Sequence, residues 1–267
     1  PFFHHFFKWS VLPELLNLRG QGGVLLMEMG YLILIATLLL AVIASIVLIL
    51  LPLLAYRKTQ GLRSENNKLH NRSQIKRSRL FLYFFIIGLA FLFIEIAFMQ
   101  KFILFLHHPI YSISVVLAAF LINAGIGSAW SSHLVKKHSC QKVIRRAIFG
   151  IILLSLLYIV VLNPLFSLLI ELPIVLKICF SLILIAPLAI CMGMPFPLAL
   201  STLAEDTHGQ GQVYIPWVWG VNGCASVISA VLASILAIHF GFTIVILIAI
   251  SLYYFCLLLF PGYRISH

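Results

Sequence analysis

The chain has 267 residues, of which 62% are hydrophobic and 9% are charged. A soluble domain carries about a quarter of its residues as charges, so an ordinary water-soluble fold is excluded. The formal net charge of +11 would suggest nucleic acid in a soluble protein. Here the basic residues gather in two short segments between long apolar runs, which is the pattern of cytoplasmic loops. The expected partner is therefore the lipid bilayer, and no nucleic acid is expected.

In chain order, residues 1–23 (PFFHHFFKWSVLPELLNLRGQGG) mix aromatics with Lys8, Glu14 and Arg19 and end in a glycine-rich break. They read as an interfacial segment lying on the membrane. The remainder, 24–267, reads as a transmembrane helical domain of the all-α class. Its seven apolar runs fall at about 25–55, 80–106, 111–133, 147–170, 174–194, 217–239 and 243–260, each long enough or nearly so to cross a hydrocarbon core of about 30 Å. No alternating barrel pattern is present, and lipid leaves helices as the way to satisfy the backbone. The chain opens on Pro1 without a basic stretch and small-residue cleavage site, so no signal peptide is expected and the start reads as a fragment or a processed end.

The segment 56–79 carries Arg57, Lys58, Arg63, Lys68, Arg72, Lys76, Arg77 and Arg79 against Glu65 alone, and the segment 134–146 carries Lys136, Lys137, Lys142, Arg145 and Arg146. With seven spans both fall on one side of the membrane, which the charge bias makes the cytoplasm. The opposite side then holds His107, His108, the turn at Glu171 and His239. Trp9, Trp130, Trp217 and Trp219 lie near expected helix ends, where indole rings anchor at the headgroups. Lys101, Lys177 and Glu171 read as snorkelling side chains. The five cysteines are scattered without a C-x-x-C pair and imply neither a disulfide framework nor a zinc site.

Glu95 stands near the centre of the second span, where an ionised carboxylate is costly and must face protein. Counted from the intervening turn it lies about 18 Å deep, and Asn123 on the next helix about 21 Å deep, so a hairpin can bring them together. One reading gives Glu95, with Asn123, Gln100 and Asn222, a proton or a cationic ligand; the other gives an interhelical hydrogen bond. Gly193, Pro195 and Pro197 mark a helix break, of the kind transporters use to expose backbone groups or simply a helix end. Gly220 and the row Ala225, Ser229, Ala233 read as a face for close helix packing. A metal or haem site on His107, His108 and His239 is the weaker alternative to interfacial histidines, because no histidine pair at i, i+4 sits inside a span. No cofactor is expected.

The stretches PFFHHFFKW with LRGQGG, IEIAFMQKFILFLHHPIYSISVVL, GMPFPLAL and WVWGVNGCASVISAVLA together resemble the membrane region of bacterial spermidine-synthase-like proteins, some of them fused to a major-facilitator-like region. The resemblance spans nearly the whole chain. It implies the bacterial inner membrane and a soluble aminopropyltransferase-like domain whose acidic catalytic residues have no counterpart here. A domain before Pro1 would belong in the cytoplasm, whereas the basic segments place Pro1 outside; the charge-based topology is kept. The stretch GIGSAWSSHLVKKHSCQKVIRR is loosely similar to a major-facilitator loop whose usual acidic residue is replaced by Ser or His. The expectation is an integral membrane subunit or anchor of a larger protein or assembly, without a catalytic centre of its own. The alternative is a transporter-like bundle moving a cationic or amine solute through Glu95, and a redox protein using the histidines comes last.

Overall fold

The computed structural model describes residues 33–48, 77–204 and 214–260, and all of its regular structure there is helical. In chain order the helices are α1 (Ile33–Leu48), α2 (Arg77–Leu106), α3 (Pro109–Lys137), α4 (Cys140–Leu168), α5 (Ile174–Met192), α6 (Pro195–Ala204), α7 (Ile215–Phe240) and α8 (Phe242–Leu259). Six spans are long and apolar enough to cross a membrane, α5 and α6 counting as the single span Ile174–Ala204. Together with α1, which occupies the middle of the expected run 25–55, they give the polytopic all-α bundle of about seven spans that hydropathy dictates. The interfacial segment 1–23, with Trp9, and most of the basic segment 56–79 lie outside the described residues.

The helix ends differ from the hydropathy limits in an instructive way. The segment 134–146, expected as a loop, is almost entirely helical: α3 continues to Lys137 and α4 already begins at Cys140, leaving only His138 and Ser139 between them. Hydropathy reports where the chain leaves hydrocarbon, whereas a helix goes on satisfying its own backbone beyond that point. Lys142, Arg145 and Arg146 are exposed on the first turns of α4.

At the other end of α2 and α3 the turn is closed by His107 and His108. His107 adopts φ 58°, the left-handed conformation that ends many helices, and its N–H bonds the Ile103 carbonyl at 3.0 Å. His108 is extended ahead of Pro109, as a residue before proline must be. The Ser112 hydroxyl then donates to the carbonyls of Phe102 and His108, tying the two helices across the turn.

Helix α2 is the hub. Its apolar window is 61% buried, against 28–33% for the other five spans, and it packs chiefly on α7, α8 and α3. Further contacts run from α3 to α5, from α5 to α4, from α4 to α8 and from α8 to α7, an arc of five helices about α2, and the short α6 touches both of the arc's ends, α3 and α7. Along that hub Phe98 meets Phe120 and Tyr158 edge-on, and Phe105 stacks on Phe166 with centroids 4.4 Å apart. Geometric complementarity of rings and small residues replaces the hydrophobic effect as the cohesive force, because lipid tails are as apolar as the side chains.

Two crossings bring backbones into contact. A Cβ at Gly127 would strike the Ile190 carbonyl, and one at Gly193 would strike the Ala124 carbonyl; the i, i+3 spacing on both helices makes this a reciprocal seat between α3 and α5. On the other side of the hub a Cβ at Gly88 would lie 2.7 Å from the Asn222 carbonyl oxygen.

Connectivity puts Arg79, both ends of the 134–146 segment and the C-terminus of α8 at one end of the bundle. Arg79 donates through Nε and Nη2 to the Leu259 and Leu258 carbonyls at 3.0 and 2.7 Å. A guanidinium is the right charge for a helix C-terminus, where four carbonyls lack intrahelical partners.

Candidate functional site: polar groups inside the bundle

Glu95 is 3% exposed and, among the described residues, its Oε1 has no hydrogen-bond partner. It lies on the same stripe of α2 as Phe81 and Gly88, since seven residues bring a helix almost to the same angle. That stripe meets α7, where Phe81 packs on Trp217 and Gly88 abuts Asn222. Two further orphans occur along this seam: Asn222 Oδ1 and Trp217 Nε1 are buried without partners. Ser155 Oγ on α4 is a fourth. Native interiors leave few polar atoms unpaired, so these groups are unusual inside the bundle; Glu95 itself is near enough to Tyr253 of α8 for the two to interact electrostatically.

The Asn123 side chain does not close the expected pair with Glu95. Its Nδ2 donates to Ala119 on its own helix at 2.8 Å, because the i−4 carbonyl is always within reach of a short polar side chain. Gln100 is half-buried one turn further along α2. The polar link that does join α2 to α7 is one the sequence left unassigned: Ser229 Oγ donates to the Leu89 carbonyl at 2.8 Å.

The packing row on α7 divides. Ala225, Ser229 and Ala233 are fully buried, whereas Gly220 is exposed and a Cβ there would meet nothing within 4 Å. Gly220 is five residues before Ala225, which rotates it off that face. The break at Gly193–Pro195 does not end the span. Gly193 provides the close seat on α3, the buried Tyr83 hydroxyl donates to the Pro195 carbonyl at 3.1 Å, and Pro195 and Pro197 open α6. The break is thus packed against α2 and α3 rather than presented as free backbone.

Lys101 and Lys177 correct the snorkelling expectation. Lys101 is 8% exposed and points Nζ at Asn163 Oδ1, 3.4 Å away on α4; Lys177 is 6% exposed with Nζ 5.4 Å from the Phe105 ring centre. Both turn inward at the end of the bundle that also holds His107, His108 and His239. The His239 ring Nδ1 lies 3.0 Å from the Ile235 carbonyl of its own helix. Among the described residues no group of three or more His, Cys, Asp or Glu side chains could hold a metal ion. Trp130 and Trp219 are exposed on the bundle surface, as rings in an interface would be.

Compared with protein-family models, with curated proteins and with solved structures, the chain gives no match. What the residues themselves carry is a helical membrane protein with a tightly seated bundle and unpaired polar groups on the seam between α2 and α7.

Proposed function

We propose that this chain is an integral membrane subunit or anchor of a larger, spermidine-synthase-like protein or assembly in a bacterial inner membrane, its basic end facing the cytoplasm, with the chemistry supplied by a soluble domain or partner chain. The observation that carries the reading is the packing of the other helices about α2. Transporters that alternate access rock one bundle against another about a site between them. The described helices have one hub instead, clamped on α7 by the Gly88–Asn222 contact, and α3 and α5 beside it are fixed to each other where Gly127 meets Ile190 and Gly193 meets Ala124. Such an architecture suits a body that holds position in the membrane.

A second reading rests on the orphaned groups. Asn222 and Trp217 lie buried on the α2–α7 seam and Glu95 is buried further along α2, and unpaired ionisable groups at membrane depth default to function. In that reading the bundle moves a proton or a cationic amine through Glu95.

The two are separated by one pair of measurements. Native mass spectrometry of the protein extracted from its own membrane in mild detergent should give a mass above chain plus lipid, in fixed stoichiometry with a soluble protein. Proteoliposomes should show no more proton or spermidine flux than empty vesicles. Flux that disappears in Glu95→Gln, from a chain that extracts alone, would replace the anchor reading with the transporter reading.

A further inference from the structure

We propose that the end of the bundle holding Lys101 and Lys177 is a binding site for one anionic phospholipid, its phosphate held by the two lysines and an acyl chain laid in the adjoining cleft between α4 and α5. The argument begins from charge. Both lysine residues are more than nine-tenths buried, and among the described residues neither ammonium is ion-paired: Lys101 has the Asn163 amide oxygen and Lys177 the face of Phe105. Lys177 lies on the first turn of α5, where the helix dipole already presents positive charge and disfavours a cation. The one carboxylate nearby in sequence, Glu171, is exposed. Buried charges of one sign without a counterion are expensive, so this corner is built for an anion that comes from outside the chain.

The two lysines belong to one corner. Phe105, under Lys177, stacks on Phe166, while Lys101 reaches Asn163; each member of the second pair is about one turn below its counterpart on the same helix. Lys101 lies five residues from the end of α2 and Lys177 three residues into α5, within about 5–8 Å of the helix ends. That is headgroup depth.

The apolar half of the site is a cleft floored by Phe102, Phe105 and Phe166 and walled by Phe180 and Ile183. It opens on the outer surface of the bundle, for Ile183 is 70% and Phe180 44% exposed. A phosphate with an attached hydrocarbon chain matches a pair of ammonium groups beside such a cleft, whereas a free phosphate would use the lysines and leave the cleft idle.

The test is a titration of the purified protein in detergent, read by native mass spectrometry, with dioleoyl phosphatidylglycerol, dioleoyl phosphatidylcholine and glycerol phosphate. Phosphatidylglycerol should bind with one tight site, and Lys101→Gln/Lys177→Gln should weaken that site about 30-fold, taking roughly fivefold for each lysine near a lipid headgroup. Lys137→Gln at the opposite end should leave it unchanged. Should the double glutamine variant fail to fold, Lys101→Arg/Lys177→Arg is expected to retain the site and Ile183→Trp, which fills the cleft from its lipid-facing wall, to weaken it. Equal binding of phosphatidylcholine, equally tight glycerol phosphate, or phosphatidylglycerol binding unaffected by both the glutamine pair and Ile183→Trp would each overturn the proposal.

Discussion

Two levels of α2 bury charge in opposite ways. Toward the middle of the helix, Glu95 is buried with Oε1 unpartnered among the described residues, within electrostatic reach of Tyr253 on α8. Toward the Leu106 end, Lys101 has found an amide oxygen, and Lys177 an aromatic face on the same helix. The difference follows from geometry. A long lysine stem near a helix end can choose among partners and headgroups, whereas a carboxylate two turns deeper takes whatever the facing helix offers.

The sharpest way to break the comparison is through the crossings that fix both levels. Gly193→Val should cost about 3 kcal/mol or prevent folding, since the new side chain drives into the Ala124 carbonyl and neither backbone can yield without reseating α3 on α5. Gly220→Ala, with open space around it, is its control and should be neutral or slightly stabilising by helix propensity. Thermal melts in detergent decide between them.

Next in size is Glu95 itself. Replacing an unpartnered buried carboxylate by an apolar side chain of similar shape removes a desolvation cost, so Glu95→Met should raise stability by about 1–3 kcal/mol in the same melts. A fall in stability would show that Glu95 has a partner in the membrane-embedded protein and would favour the transport reading.

Two smaller effects sharpen the picture. His107→Gly should stabilise by about 1 kcal/mol, because glycine takes the left-handed turn without the Cβ penalty. Ser229→Ala should cost about 0.6 kcal/mol, the usual worth of one interhelical hydrogen bond in a membrane. If Ser229→Ala proved as damaging as Gly193→Val, polar bonding rather than close packing would be what holds α7 to the hub.

Much of the fold was legible before any coordinates. Apolar runs of sufficient length located α2 to α5, α7 and α8, and the connectivity of the described residues puts Arg79 and the 134–146 segment at the same end. The sequence also singled out Glu95, Asn222 and the Ala225–Ser229–Ala233 row, since charge at membrane depth and small residues at spacing four are local signals. It misread Gly220 by one face, and it found the helix break at Gly193 and Pro195 without showing that Gly193 also seats on α3. The inward turn of Lys101 and Lys177 was illegible, because a lysine near a helix end has the same sequence whether it reaches headgroups or folds back onto a ring.

What the sequence determined alone is therefore the solvent and the secondary structure: hydrocarbon demands helices, and run length sets how many. Only the tertiary structure decided which helix is the hub, which glycines touch backbone, and that Asn123 bonds its own helix while Glu95 Oε1 is left unpartnered among the described residues. These depend on rotation about each helix axis and on the partner across the seam. Without a hydrophobic force between helices in lipid, those choices are made by shape and by single hydrogen bonds, which no stretch of sequence specifies by itself.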